Sequence, residues 1–203
     1  ESADALYNRG VALQSLKRPA EALASFERAL AIQPDNAGAS NGRCAALIAL
    51  GRPAEALAGS DQALTIRPKD VAALNNRGVA LENLGRLEDA LESFRRALAV
   101  WPEYAEAINS EASCLIALKR PDEALASYAR ALRIRPHYPL LLGNWLHTKM
   151  KVCDWSGLSQ AFERLAADIA AGNPVASPFA VMATPLPLAL QRQCAESLVR
   201  DHF

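Results

Sequence analysis

Small and apolar residues recur along the chain with a period of 34 residues. Each of four successive blocks ends on a proline that stands two residues after an aliphatic side chain. Two alanines seven residues apart keep the same register and lie on one face of a helix, where small side chains let helices approach closely. The periodic prolines are Pro34, Pro68, Pro102 and Pro136, and the alanines are Ala22, Ala56, Ala90, Ala124, Ala29, Ala63, Ala97 and Ala131. The period predicts four copies of one helical structure.

Each block is predicted to contain two helices joined by a short basic turn. Proline at the start of the second helix loses no hydrogen bond, because the first N–H groups of a helix have no intrahelical partner. An acidic residue just after it favours the positive end of the helix dipole. The turns read Lys17-Arg18-Pro19, Gly51-Arg52-Pro53, Gly85-Arg86-Leu87 and Lys119-Arg120-Pro121. The sequence therefore predicts an all-α protein.

These positions together resemble the tetratricopeptide repeat. The resemblance rests on the alanine pairs, the terminal prolines, the glycines Gly10 and Gly78, and the aromatics Phe26, Phe94 and Tyr128. It implies a right-handed superhelix, or α-solenoid, of four repeats over residues 1–136. The second copy departs from the pattern with Cys44 and Ser60, and the fourth has Ala112. We therefore expect the second repeat to be the least well packed.

The regular pattern ends after the fourth copy. Residues 137–155 read as a degenerate fifth repeat, with Leu142, Asn144 and Leu146 at the expected positions but no alanine pair and no terminal proline. Residues 156–203 predict a helix to about residue 171, a loop over 172–179 and a last helix over 186–202. We expect this segment to form a C-terminal helical cap in which Trp145 and Trp155 seal the apolar end of the array.

The segment after the repeats resembles one particular family. A Val152-Cys153-Asp154-Trp155 motif that closes a repeat array, followed by a helix, a Pro-Phe loop and another helix, is similar to the junction in family 41 glycosyltransferases. These are the O-linked N-acetylglucosamine transferases and their SPINDLY-like bacterial relatives. The resemblance implies that the repeats recruit protein substrates for a catalytic region beyond residue 203, which would bind a nucleotide-sugar donor. It implies no catalytic residue within this chain.

The same family has asparagines on the first helices of its repeats, along the inner groove. The resemblance implies a peptide-binding groove, because an amide offers both a donor and an acceptor to any peptide backbone. Gly42 and Ser110 interrupt the matching row, although asparagines stand one position earlier. The implied groove residues are Asn8, Asn41, Asn75, Asn76, Asn109 and Asn144. The alternative is that these asparagines cap turns or face solvent.

Composition narrows the classes of partner. The 22 basic and 22 acidic residues give a net charge of zero, and no basic stripe predicts nucleic-acid binding. No apolar stretch approaches the roughly 20 residues of a membrane span. The four cysteines lie far apart, which predicts reduced thiols in a cytoplasmic protein and no metal site. We expect no cofactor, and the missing initiator methionine suggests an internal fragment of a longer protein.

Several other side chains have two interpretations. Arg9, Arg43 and Arg77 recur in register and could bind an anion, but Glu111 breaks the row and favours a solvated face. Trp101 could be structural or could bind a partner. The histidines, His137, His147 and His202, have no nucleophile in a recognisable arrangement, which disfavours a catalytic role.

The sequence thus predicts a scaffold that binds another polypeptide. The first function we consider is substrate recruitment for a glycosyltransferase, and the second is a free-standing adaptor or co-chaperone. A clamp for a carboxylate would need lysine or arginine on the inner face of the first helices, and the inward positions carry neither. This disfavours the clamp.

Overall fold

The structure, a computed structural model, describes residues 2–202, and within this range it contains twelve α-helices and no β-strand. The all-α prediction is therefore confirmed. The helices are α1 (Ala3–Ser15), α2 (Pro19–Ile32), α3 (Ala37–Ala49), α4 (Pro53–Ile66), α5 (Val71–Asn83), α6 (Leu87–Val100), α7 (Ala105–Ala117), α8 (Pro121–Ile134), α9 (Leu141–Lys151), α10 (Leu158–Ala170), α11 (Pro178–Met182) and α12 (Leu188–His202).

The helix boundaries repeat with the sequence period. The first helices of the four blocks, α1, α3, α5 and α7, begin 34 residues apart. Ser2, Asn36 and Asp70 stand immediately before the first three, and each side chain accepts a hydrogen bond from the backbone N–H three residues later. Such N-caps satisfy backbone donors that have no partner within the helix.

The turns inside the blocks are built as the sequence predicts. Residues in the left-handed conformation end the first helices, and they are Gly51 and Gly85 in two blocks and Lys17 and Lys119 in the others. The arginine that follows pairs with the acidic residue three positions later, for example Arg52 Nε with Glu55 Oε1 at 2.6 Å. Hydrogen bonds from Arg52 hold the pKa of the Glu55 carboxyl below its ordinary value.

The chain divides into two compact units, the first ending at Ser110 and the second beginning at Glu111. In the first unit, each helix packs against the next one along the chain, from α1 to α6. The first helices also contact one another directly, α1 with α3 and α3 with α5. The three first helices therefore form one layer, and α2 and α4 pack between their successive members.

Glycine and phenylalanine fit together inside the first repeat. A Cβ on Gly10 would lie 2.5 Å from Phe26 Cε1, and a Cβ on Gly42, in the next first helix, would lie 2.5 Å from Phe26 Cζ. Phe26 is fully buried, so its ring occupies the space that two side chains would need. Gly78 faces Phe94 in the same way in the third repeat.

The second repeat is packed less completely, as predicted. Cys44 and Ser60 replace the glycine and the phenylalanine and are 1% and 0% exposed. The second helix α4 buries only Ala56, Gly59 and Ser60. By contrast, α6 buries six residues, namely Ala90, Leu91, Ser93, Phe94, Ala97 and Leu98.

The second unit contains the irregular end of the chain. Here α9 packs against α8, α10 and α11, and α12 packs against α10 and α11. A loop between α10 and α11 crosses the start of α9, where Leu140 N–H donates to the Pro174 carbonyl at 2.8 Å and Gly143 N–H to the Val175 carbonyl at 3.0 Å. A Cβ on Gly143 would lie 2.6 Å from the Cβ of Ala176. The loop therefore requires a glycine at this point of α9.

The predicted elements of this unit differ slightly from those observed. The loop ends at Ser177 rather than at Phe179, because the Ser177 hydroxyl accepts from Ala180 N–H and Pro178 suits the first turn of α11. The last helix begins at Leu188 rather than near residue 186.

Candidate functional site

The side of the first helices that does not pack against the second helices is the candidate binding surface in the first unit. We call it the first-helix face. Its residues are half-buried or exposed and follow the spacing of one helical face. They are Asp4, Tyr7, Asn8, Val11 and Gln14 on α1, Gly38, Asn41, Ala45 and Ile48 on α3, and Ala72, Asn75, Asn76, Val79, Glu82 and Asn83 on α5.

Two of the predicted groove asparagines connect neighbouring first helices. Asn41 Nδ2 donates to the carboxylate of Asp70 at 3.2 and 3.3 Å, and Asp70 in turn caps α5. Asn76 Nδ2 donates to the Asn41 carbonyl oxygen at 3.1 Å. Gln14 Nε2 makes a similar bond to the Gly42 carbonyl oxygen at 3.1 Å. These amides fix the spacing of the helices, and the Asn76 carbonyl oxygen and its second N–H are not used by these bonds.

Two other asparagines have an amide oxygen without a partner. Among residues 2–202, no donor reaches Oδ1 of Asn75 or Oδ1 of Asn109, although both oxygens are enclosed. Asn75 lies on α5, and Asn109 lies on α7 just before the end of the first unit. An enclosed carbonyl oxygen without a donor costs free energy, and a ligand reaches it only after the amide reorients.

The remaining two predicted residues lie in different surroundings. Asn8 is exposed on α1. Asn144 lies on α9 in the second unit, where its backbone carbonyl accepts from the Thr148 hydroxyl at 2.8 Å. The structure therefore brings Asn8, Asn41, Asn75 and Asn76 onto the first-helix face.

The interpretation of the recurrent arginines as a solvated row is wrong for Arg77, whereas Arg9 is exposed. Arg77 Nε donates to Asp61 Oδ1 at 2.7 Å and its Nη1 to the Ser93 hydroxyl at 2.6 Å. The guanidinium thus joins α5 to the second helices on both sides. At the corresponding position of the fourth block, the Glu111 side chain accepts from the Ser127 hydroxyl at 3.1 Å. These charges are part of the packing between helices.

Glu82 is a charged residue of the face that the sequence prediction did not single out. It is half-buried on α5, three residues after Val79. Burial raises the pKa of its carboxyl above the ordinary value. No hydrogen bond or ion pair to its carboxylate is present in the described part of the chain. Its position in the repeat could have identified it from the sequence. Gln14 and Ile48, which are uncharged, occupy the same position in the preceding repeats.

The motif after the fifth block forms a tightly bonded turn in the second unit. Asp154 accepts from Lys149 Nζ at 2.8 Å, from the Ser156 hydroxyl at 2.6 Å and from Ser156 N–H at 3.0 Å. These bonds, from Lys149 above all, lower the pKa of Asp154 to about 2. The buried Lys149 also donates to the Ser156 carbonyl oxygen at 2.7 Å. The aspartate of the motif therefore has a structural role.

The predicted burial of the tryptophans near this turn is wrong for Trp155. Trp155 is 64% exposed, because the turn projects it away from the core. Trp145 is half-buried, and Lys149 Nζ lies 5.1 Å from the centre of its ring. Trp101 is 52% exposed and stacks on Tyr104 with the ring centres 5.1 Å apart.

The cysteines and histidines form no reactive cluster within the described residues. Cys44, Cys114 and Cys194 are buried free thiols, and Cys153 is exposed. His137 Nδ1 lies 3.0 Å from Asp168 Oδ1, and His147 packs on the Phe179 ring. The side chain of His202 lies outside the described part of the chain. In the range that the structure covers, no group of residues suits a metal ion, and no helix is both long and apolar enough to cross a membrane.

The fold and its first-helix face define a helical-repeat protein. Family models for the tetratricopeptide repeat match residues 3–36, 45–99 and 83–139, which together make up more than half of the chain. The chain therefore belongs to the tetratricopeptide-repeat family. No curated protein was found to match it in sequence.

Solved structures of similar fold come from several bacteria. A thermophilic tetratricopeptide-repeat protein of Thermus thermophilus is 23% identical, with a TM-score of 0.74, over 98% of this chain and 100% of its own. PilF of Pseudomonas aeruginosa is 17% identical, with a TM-score of 0.70, over 98% of this chain and 89% of the PilF chain. MamA of Desulfovibrio magneticus is 17% identical, with a TM-score of 0.63, over 80% of this chain and 92% of the MamA chain. At these identities the likeness shows the fold.

Proposed function

We propose that the chain is a protein–protein interaction scaffold that binds an extended polypeptide on the first-helix face. The observation that carries this proposal is the Asn76 amide, which lies on the face beside Asn75 and whose oxygen and second N–H have no bonding partner among residues 2–202. A peptide backbone supplies N–H and C=O groups at regular intervals. Once the Asn75 amide turns toward the face, a peptide N–H satisfies its oxygen.

The apolar residues of the face support the same proposal. Val11, Ala45 and Val79 hold one register on the three first helices, and Val11 is 40% exposed. Neighbouring packed helices lie about 8–10 Å apart. Three residues of an extended chain span a similar length, at about 3.3 Å per residue. A segment of about seven residues can therefore contact all three helices.

The experiment is a peptide display selection on the purified chain, using a library of random extended peptides and sequencing of the captured members. Asn75→Ala with Asn76→Ala is expected to lower the capture of most selected peptides about tenfold, the effect of losing two hydrogen bonds of about 0.7 kcal/mol each. Gln62→Ala is the matched control, because it removes an exposed amide from the second helix α4, off the first-helix face. Equal capture by the double variant and the parent would contradict the proposal.

We further propose, on the resemblance of residues 152–203, that the scaffold recruits substrates for a glycosyltransferase region like those of family 41. The helix, loop and helix that follow the Asp154 turn are consistent with that resemblance. Within this proposal, residues 1–136 form the recruiting repeats, 137–155 a degenerate repeat and 156–203 the junction. Reading the gene beyond codon 203 tests it: a nucleotide-sugar-binding region is expected, and an early stop codon would leave the free-standing adaptor.

A further inference from the structure

Glu82 differs from its counterparts in the other repeats of the first unit. The side chain of Gln14, at the same register, bonds the neighbouring helix, and that of Ile48 is apolar. Glu82 instead brings a carboxylate to a half-buried position between Val79 and the end of α5. A charge at such a position costs free energy unless a cation or several donors face it. Within residues 2–202, no cation and no hydrogen-bond donor faces the Glu82 carboxylate.

The charges of the first-helix face have one sign. Its only carboxylate side chains are those of Asp4 and Glu82, and none of its members is lysine, arginine or histidine. The arginines in the turns beside it are paired within the chain, Arg18 with Glu21 and Arg52 with Glu55, both at 2.6 Å. The face therefore offers uncompensated negative charge to whatever lies on it, and charge complementarity favours a cationic partner.

We propose that the first-helix face selects peptide segments that contain a lysine or arginine, and that Glu82 binds this side chain. This inference rests on the proposed function. With the cation over α5, the residues three and about six positions away lie over α3 and α1, given a helix spacing of about 8–10 Å. The nearer of these peptide residues contacts Ala45 and Ile48 on α3, and the farther one contacts Val11 on α1. Both positions suit small or apolar peptide side chains. The recognised pattern is a cation followed or preceded by apolar residues at intervals of three.

The test uses the purified 203-residue chain and synthetic pools of thirteen-residue peptides with one fixed central residue and six random residues on each side. The central residue is lysine, arginine, glutamine, leucine or glutamate in separate pools. Binding of each pool is measured on the parent, on Glu82→Gln and on the control Glu92→Gln, which removes one exposed charge from α6, off the face. We expect the lysine and arginine pools to bind the parent about fivefold better than the glutamine pool.

The expected result has two further parts. The preference disappears in Glu82→Gln but persists in Glu92→Gln, and it weakens in the parent as salt is raised. Equal binding of all pools to the parent overturns the cation preference, and so does a preference for the glutamate pool. Both outcomes leave the scaffold function intact, because the parent still binds peptides. A preference that survives in Glu82→Gln overturns the role of this residue. If no pool binds the parent, the scaffold function itself fails and the inference with it.

Discussion

The first and second repeats fill the space between their two helices in different ways. In the first, Phe26 occupies the gap and two glycines give it room. In the second, Cys44 and Ser60 share the corresponding positions and are just as buried. Compared with the first repeat, the side chain on the first helix is larger and the side chain on the second helix is smaller. The added cysteine side chain does not replace the full volume of the phenylalanine ring. The repeat thus tolerates a change in its central pair when both positions change together, at a cost in packing.

The exchange has a consequence for the candidate site. Asn76 stands at the register of Gly42, whose missing side chain gives room to Phe26. With the small Ser60 in place of phenylalanine, the second repeat leaves space for a larger residue at this point of the next first helix. The weaker packing of the second repeat and the presence of Asn76 on the first-helix face are therefore linked.

The largest effect is expected from removing the aromatic ring of the third repeat. Phe94→Ala should lower the free energy of unfolding by about 3–5 kcal/mol, because it leaves a cavity in a fully buried site. Urea unfolding followed by circular dichroism measures it. Phe179→Ala is the control, since Phe179 is 68% exposed and its loss should change little. Similar effects of the two variants would contradict the assigned packing.

A transplant of the second repeat's pair sharpens this prediction. Phe94→Ser combined with Gly78→Cys should be about 1 kcal/mol more stable than Phe94→Ser alone, because the cysteine side chain enters the space that the ring leaves. Gly78→Cys alone should destabilise the protein, since Phe94 already fills that space. Additive effects of the two substitutions would show that the positions are independent.

The reverse exchange in the second repeat is expected to have a smaller net effect. Ser60→Phe alone should cost about 1–3 kcal/mol, because the Cys44 side chain, which contacts α4, occupies part of the volume that the ring needs. Adding Cys44→Gly should recover about 1 kcal/mol of the loss. The same unfolding measurement compares the single and double variants. If Ser60→Phe were stabilising by itself, an empty cavity would have to exist beside Ser60, contrary to this interpretation.

The regular elements were predictable because each repeats a local physical rule. Proline at Pro53, the left-handed turn at Gly51 and the cap at Asp70 each determine a helix boundary by themselves. The left-handed turn recurs in all four blocks, and the proline and the cap each recur in three. The 34-residue period also predicted the weak second repeat. These features depend on neighbours in sequence, or on one neighbouring helix.

The details of the site and of the second unit depend on contacts between distant residues. The sequence placed Asn41 on the inner face but could not show that Asp70 occupies its amide. It treated Arg77 as solvated because the bonds to Asp61 and Ser93 cross between helices. Trp155 was expected to be buried because of its size, whereas the Lys149 bonds set the course of the turn.

The smallest expected effect distinguishes Glu82 from its uncharged counterparts in the first two repeats. Because burial raises the pKa of its carboxyl, the charged form destabilises the folded state above that pKa, and the penalty is lost as the pH falls through it. Glu82→Gln should therefore raise the free energy of unfolding at pH 7, by less than about 1 kcal/mol. The gain should vanish below the ordinary pKa of glutamate, about 4.3. Thermal melts of the parent, Glu82→Gln and Glu92→Gln across this range measure the difference. A loss of stability at pH 7 would mean that Glu82 already has a favourable partner, which would remove the physical reason to expect a cation from a bound peptide.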